Sequence, residues 1–275
     1  MYLSTPGRIS GEIGHGRVYA CANEWQYTKM CGIPAPAQAG IVREGVMRTI
    51  MLINSKGGSG KSTLATNLAS YFACWGIRVT LVDFDRQGSA LDWLRARPTD
   101  RPEIRSVAAV APTYPVPDDS DYRVLDVPSG VHDEQLTQLI QLADTIVIPV
   151  LPSPMDIRAT GRFVAELLDN PAYAPDKRVC VVANRVRENT RSYRVLEEFL
   201  EQLGIPFVAR LRDTQNYVRA AEQGLGIFEL PRREVLPDLA QWQPLVVWLA
   251  GDRRLSVIPP MAAADTAAPP AEASL

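Results

Sequence analysis

The sequence is poor in the residues that would commit it to several classes of function. Its 275 residues hold only four cysteines and two histidines. Cys21, Cys31, Cys74 and Cys180 show no CxxC or other close spacing, and only His15 and His132 could join them as ligands. Neither a zinc site nor a disulfide framework is written into that pattern, and reduced thiols in a cytosolic protein are expected. There is no run of about 18 apolar residues to span a bilayer, and the N-terminus lacks the basic-then-apolar order of an export signal. A soluble, cytoplasmic protein without a membrane partner is expected. Charge of one sign is also missing: 29 Lys and Arg oppose 31 Asp and Glu, for a net charge of −2. No long-range field draws the chain onto nucleic acid, so any such binding must come from a local patch.

What the sequence has is a hydrophobic share of 46%, enough for a full core, and from Met47 onward a regular alternation. Short β-branched runs predict strands at Ile50 to Asn54, Arg78 to Asp83, Tyr122 to Asp126, Thr145 to Val150, Val179 to Asn184 and Phe207 to Arg210. Between them, amphipathic stretches predict helices near 61–75, 132–142, 156–168, 191–203 and 214–223. A last helix, near 236–250, carries Leu239, Trp242, Leu245, Val246 and Leu249 at spacings of three and four, a stripe suited to packing against a sheet. The fold class is therefore α/β: a doubly wound, mostly parallel sheet with its ligand at the carboxyl ends of the strands. Residues 1–46 have no such periodicity and are expected to be disordered. They are either an extension wrongly assigned ahead of a start at Met47 or a genuine flexible arm. Residues 251–275, rich in Ala and Pro, are expected to be a disordered tail.

The first strand runs into Ser55-Lys56-Gly57-Gly58-Ser59-Gly60-Lys61-Ser62-Thr63 and then a helix. Strand, glycine-rich loop and helix are the context a phosphate-binding loop requires. Glycines let successive backbone N–H groups turn inward around phosphates, and the helix start adds its positive dipole end. Lys61 is placed to neutralise the β- and γ-phosphates and Ser62 to ligate Mg²⁺. The second strand ends in Asp83-Phe84-Asp85-Arg86-Gln87-Gly88, and a third apolar strand ends in Asp126-Val127-Pro128-Ser129-Gly130. A carboxylate near a γ-phosphate can hold an attacking water in line. We assign that role to Asp85, and the metal's water shell to Asp83 and Asp126, with Asp83 and Asp85 exchangeable in detail.

Lys-Gly-Gly-x-Gly-Lys-Ser, Asp-x-Asp-x-Gln and the Asp126 strand, in that order, resemble the deviant Walker A ATPases of the ParA/MinD family, P-loop NTPases of the SIMIBI class. The resemblance spans Met47 to about Ala250 and is most specific at the phosphate motifs. It implies ATP and Mg²⁺ as ligands, slow hydrolysis stimulated by a partner, and an ATP-sandwich homodimer in which Lys56 reaches the partner's nucleotide. It also implies that Asn184 reads the adenine edge. Arg86 departs from the proline usual at that place, which bears on the rigidity of the loop. No cysteine lies between Cys74 and Cys180, which argues against the electron-transfer relatives, and the tail from Pro259 has no Lys or Arg for a MinD-like membrane helix. In its short form and in segments such as Pro152-Ser153-Pro154 the chain instead resembles the small ParA-type proteins, which implies that it positions a plasmid, a chromosome region or, by preference, a carboxysome-like organelle over the nucleoid by ATP-gated, non-specific DNA binding. Such a protein would work with a ParB-like or adaptor protein. Arg185, Arg187, Arg191, Arg194, Arg210, Arg212 and Arg219 could form the DNA patch, Arg191 and Arg212 foremost, or could be helix-face charges paired with Glu197, Glu198 and Glu201. The alternative function is a regulatory or metabolic ATPase acting on a protein partner without DNA.

Overall fold

The computed structural model describes residues 47–109, 119–174 and 176–250; the expectations for the leader, the tail, Cys21, Cys31 and His15 lie outside the described residues. Seven strands, β1 (Arg48–Leu52), β2 (Val79–Asp83), β3 (Arg105–Ala108), β4 (Tyr122–Asp126), β5 (Thr145–Val150), β6 (Arg178–Val186) and β7 (Phe207–Arg212), form one sheet. Their order is β3-β2-β4-β1-β5-β6-β7, with every pairing parallel. The inner strands are apolar without interruption because helices cover both faces. Alternation along β1 divides the core. Ile50 and Leu52 face one cluster with helices α1 (Lys61–Cys74) and α7 (Arg232–Ala250). Met51 and Ile53 face the other, with α3 (Asp133–Leu142), α4 (Pro154–Leu168) and α5 (Arg191–Gln202).

Three elements were not expected from the sequence: the edge strand β3, the short helix α2 (Ser89–Arg95) and the 3-10 turn Ile227–Glu229. β3 is four residues long with alternating exposure, so it offers little apolar signal. The helix α6 (Asn216–Glu222) is shorter than expected. α7 begins four residues earlier than the pattern suggested and runs through Pro237 and Pro244. Its expected stripe, Leu239, Trp242, Leu245, Val246 and Leu249, is buried, each such side chain contributing roughly 1.5–3 kcal/mol.

The sheet order has one consequence for function. β1 lies between β4 and β5, so the connections leaving the two sides of β1 diverge and open a crevice at its carboxyl end. The register aligns Leu52 with Asp126 and Asp83 with Asp126. The end of β1 and both strand-end carboxylates therefore meet at one edge.

Candidate functional site

The loop that follows β1 is fixed at its start by Asn54, which is buried. Its Nδ2 donates to the Pro149 carbonyl at 2.7 Å and to Thr160 Oγ1 at 3.1 Å, while its Oδ1 accepts from Lys56 N at 3.2 Å. The strand end is thus tied to β5 and α4. Gly60, at φ 96°, turns the chain into α1, whose N-terminus has no side-chain cap. Its helix-start amides are left free to meet an anion. A methyl group on Gly60 would sit 2.1 Å from Asn184 Nδ2, so glycine is required twice over. Asn184 is buried, donates through Nδ2 to the Ser59 carbonyl at 2.9 Å and accepts from Arg185 N at 2.9 Å. It therefore braces the loop through one of its two amide hydrogens. The brace is helped by Arg185, which holds φ 51° in a β6 irregularity.

Lys61 is buried, and its Nζ donates across the loop to the Lys56 carbonyl at 3.2 Å. Burial lowers its pKa, while Asp126 and Asp85 pull it back up. Asp126 is 1% exposed and its Oδ2 has no hydrogen-bond partner. Desolvation pushes this carboxyl up to about 7, against the Ser62 hydroxyl that hydrogen-bonds it and the Lys61 charge. Asp83 is also buried, but its oxygens are occupied: Oδ1 accepts from Asp85 N at 2.9 Å, and Oδ2 from Ala90 N at 3.1 Å and Leu91 N at 3.3 Å. It pins the loop and the start of α2. Burial raises its pKa and those three amides lower it. Asp85 is half-buried and accepts from Gln87 N at 2.9 Å, closing an Asx turn that Gly88 completes at φ 67°. After β4, Ser129 lies beside Gly57 and Gly130 turns at φ 77°. Lys56, Gly57, Gly58, Ser59, Gly60, Lys61, Ser62, Asp83, Asp85, Asp126 and Asn184 are brought to one edge, and Thr63 follows in the first turn of α1.

The seven arginines do not share one fate. Arg187 pairs with Asp213 at 2.6 Å, Arg210 with Glu197 at 3.0 Å, Arg219 with Glu234 at 2.8 Å and Arg212 with Asp238 at 2.5 Å. Asp238 is fully buried and also accepts from Asn216 at 2.7 Å. Arg185, Arg191 and Arg194 are exposed and enter no ion pair among the described residues. They lie just after Asn184 and along the first turn of α5.

Residues 50–227 match the CobQ/CobB/MinD/ParA nucleotide binding domain. Among curated proteins, the chain is 29% identical over 192 residues to "Maintenance of carboxysome distribution protein A" of Halothiobacillus neapolitanus, covering 67% of this chain and 88% of that one. It is 30% identical over 194 residues to the protein of the same name from Gloeobacter kilaueensis, covering 66% and 84%. Among solved structures, a plasmid partition protein of Borrelia burgdorferi bound to AMPPNP superposes with a TM-score of 0.59 at 16% identity, covering 74% of this chain and all of that one. The MinD cell division protein of Aquifex aeolicus gives 0.58 at 20%, covering 75% and 98%. The structural likeness establishes the fold. The domain match spans the sheet from β1 to the turn beyond α6 and contains every phosphate-loop and carboxylate residue gathered at its edge, so the chain belongs to the CobQ/CobB/MinD/ParA nucleotide-binding family.

Proposed function

We propose that this chain is an ATP-hydrolysing switch that dimerises when loaded with ATP and, as a dimer, holds a cargo over DNA by sequence-independent binding. One observation carries the hydrolytic reading: a buried Asp126 oxygen without a partner, beside the Ser62 hydroxyl and the Lys61 charge at the mouth of a phosphate loop. A buried carboxylate oxygen left bare is costly unless a cation meets it. The residues therefore fit a magnesium ion. Ser62 would ligate it and Asp126 would hold it through water, with Asp83 fixing the surrounding loop. Among the described residues no cluster of three or more His, Cys, Asp or Glu forms a metal cage. Magnesium does not need one, since substrate phosphates and water supply most of its ligands. When bound, the ion neutralises charge that develops on the phosphate oxygens.

The chain's own residues do the rest. Lys61 and the amides at the start of α1 bind phosphate. Asp85, on a loop held by Asp83, would orient the attacking water. Asn184 would read the adenine edge. Lys56 has no ion pair among the described residues, which suits it to the partner's nucleotide. Hydrolysis is slow without a stimulating ParB-like or adaptor partner, because a timing switch must persist in its ATP state.

The positioning role is supported by the two relatives named for carboxysome distribution. The DNA contact falls on Arg191, with Arg185 and Arg194 beside it. Arg212 is a weaker candidate, because leaving Asp238 would strand a buried charge. No helix among the described residues is long and apolar enough to cross a membrane. If DNA contact fails, a regulatory ATPase acting on a protein remains, and the four ion-paired arginines favour it.

The test is light scattering with a slowly hydrolysed ATP analogue and Mg²⁺. Wild type should dimerise, Lys56→Ala should bind nucleotide but stay monomeric, and Lys61→Ala should lose at least about tenfold in nucleotide affinity. A wild type that stays monomeric at saturating analogue would overturn the dimer reading.

A further inference from the structure

Away from the phosphate edge, the molecule contains a second buried polar cluster that the nucleotide chemistry does not use. Arg97, just beyond α2, has a side chain 6% exposed, and Glu229, in the short 3-10 turn Ile227–Glu229, has one at 0%. They form a double hydrogen bond, at 2.8 Å and 2.9 Å. The other guanidinium N–H groups go to the Pro102 carbonyl, twice at 3.1 Å, and to the Gly224 carbonyl at 3.1 Å. All five donors of the arginine are used. Glu229 Oε2 also accepts from Ser70 Oγ at 2.7 Å and from Gly226 N at 2.9 Å.

The backbone is shaped to close around this pair. Gly224 holds φ 63°, and a methyl group there would lie 2.3 Å from Arg97 N. A methyl group on Gly226 would lie 2.2 Å from Ser70 Oγ. Trp93 of α2 adds a bond from its Nε1 to the Leu225 carbonyl at 3.1 Å. From α1, Asn67 accepts from Ile227 N at 2.6 Å and donates to the Thr63 carbonyl at 2.7 Å.

A buried ion pair is a poor source of stability, because desolvating two charges offsets their attraction. This one joins two helices whose other ends lie at the nucleotide edge. α1 begins at Lys61 and Ser62, and Ser70 and Asn67 of the same helix grip the cluster. α2 begins under the Asp83 carboxylate, which also holds Asp85, and its far end is gripped by Arg97 and Trp93. Both helices are thus tied to one knot.

We propose that Arg97 and Glu229 are a positioning pair for nucleotide hydrolysis: they lock α2 to α1 and so hold the Asp83–Asp85 loop in register with the phosphate loop. The proposal deepens the hydrolytic reading above and rests on it. It differs from a merely structural role in predicting a loss of rate without a loss of binding.

The experiment uses the full chain with Arg97→Lys, Glu229→Asp and, as a destabilised control buried near the end of α7, Leu249→Ala. Lysine keeps the charge but loses the fork, and aspartate keeps the charge but shortens the reach. Both positioning variants should bind the ATP analogue within about threefold of wild type yet slow single-turnover hydrolysis at least about tenfold. Hydrogen exchange over residues 84–95 of the nucleotide-free protein should quicken at least about tenfold, with β5 unchanged. The control should melt lower and hydrolyse at the wild-type rate when assayed well below its melting temperature. If one positioning variant does not fold, the other carries the same expectation. Wild-type rates in the folded variants, or an equal slowing in Leu249→Ala, overturn the proposal. A wild type that turns over no ATP refutes the parent reading instead, and the exchange arm then decides alone whether the pair holds the loop.

Discussion

Asp126 shows how much a single residue can reveal and conceal. An unperturbed Asp ionises near 4, whereas burial holds Asp126 near 7. Between those values the unfolded chain releases a proton that the folded chain retains. In the absence of ligand, the Asp126 contribution to native stability therefore falls as pH rises from about 4 to about 7 and then levels, by an amount on the order of 4 kcal/mol. Asp126→Asn cannot ionise. At pH 8 without Mg²⁺ or nucleotide it should melt above wild type, and the gap should close toward pH 5. Adding Mg²⁺ and nucleotide should raise the wild-type melt and leave the variant behind. Thermal melts across that pH range check this, and a gap independent of pH would refute it. The sequence made the location of such residues legible, because glycine spacing and strand-end carboxylates are local. It did not make their partners legible. Asp83 was expected in a metal shell and is found under three backbone amides. Asn184, expected at a base, also braces Ser59. Those contacts join segments more than a hundred residues apart in one case and span a turn hidden in the other.

At the scale of elements, periodicity found what is long and apolar and missed what is short. β3 and α2 have four and seven residues, too few for a period to emerge. α2 nevertheless carries the loop of Asp83 and Asp85. The early start of α7 was hidden by Pro237, which a local reading takes as a helix boundary. Tertiary anchoring overrides it: Asp238 receives Arg212 at 2.5 Å and Asn216 at 2.7 Å, tying α7 to the end of β7 and the start of α6. The two partners are unequally exposed, at 36% for the Arg212 side chain and 0% for Asp238. Removing the arginine strands a fully buried carboxylate, while neutralising the acid leaves a cation that still reaches water. Arg212→Ala should therefore cost more, on the order of 3 kcal/mol, than Asp238→Asn, at about 1–2 kcal/mol. Urea unfolding of the two variants measures the difference, and equal losses would contradict this asymmetry. A DNA-binding assay on an Arg212 variant would thus report on folding as well as on DNA affinity.

For the whole molecule, the question is how a chain with net charge −2 could hold DNA at all. The sequence made the sheet and its active edge legible, since β-branched runs and crossover helices dictate a parallel α/β fold. It could not say which of its arginines are already paired, because that depends on acids from other elements. Of the seven arginines of the candidate patch, Arg185, Arg191 and Arg194 enter no ion pair among the described residues. A monomer offering three cations from this segment binds DNA weakly at physiological salt. Two copies brought together by ATP would double the number of neutralised phosphates. Affinity depends steeply on that number, so binding becomes conditional on nucleotide without any change inside the subunit. Arg191→Glu should weaken binding on unrelated duplexes alike and leave ATP-driven dimerisation intact, because groups that touch phosphate position a protein without reading bases. The slope of log affinity against log salt should become shallower by roughly one unit for each phosphate no longer neutralised, or about two per dimer. Mobility-shift titrations with ATP analogue, ADP and no nucleotide, at two salt concentrations, measure both quantities. A wild-type dimer with no DNA affinity at low salt would remove the nucleoid from this protein's function and leave a switch that acts on protein alone.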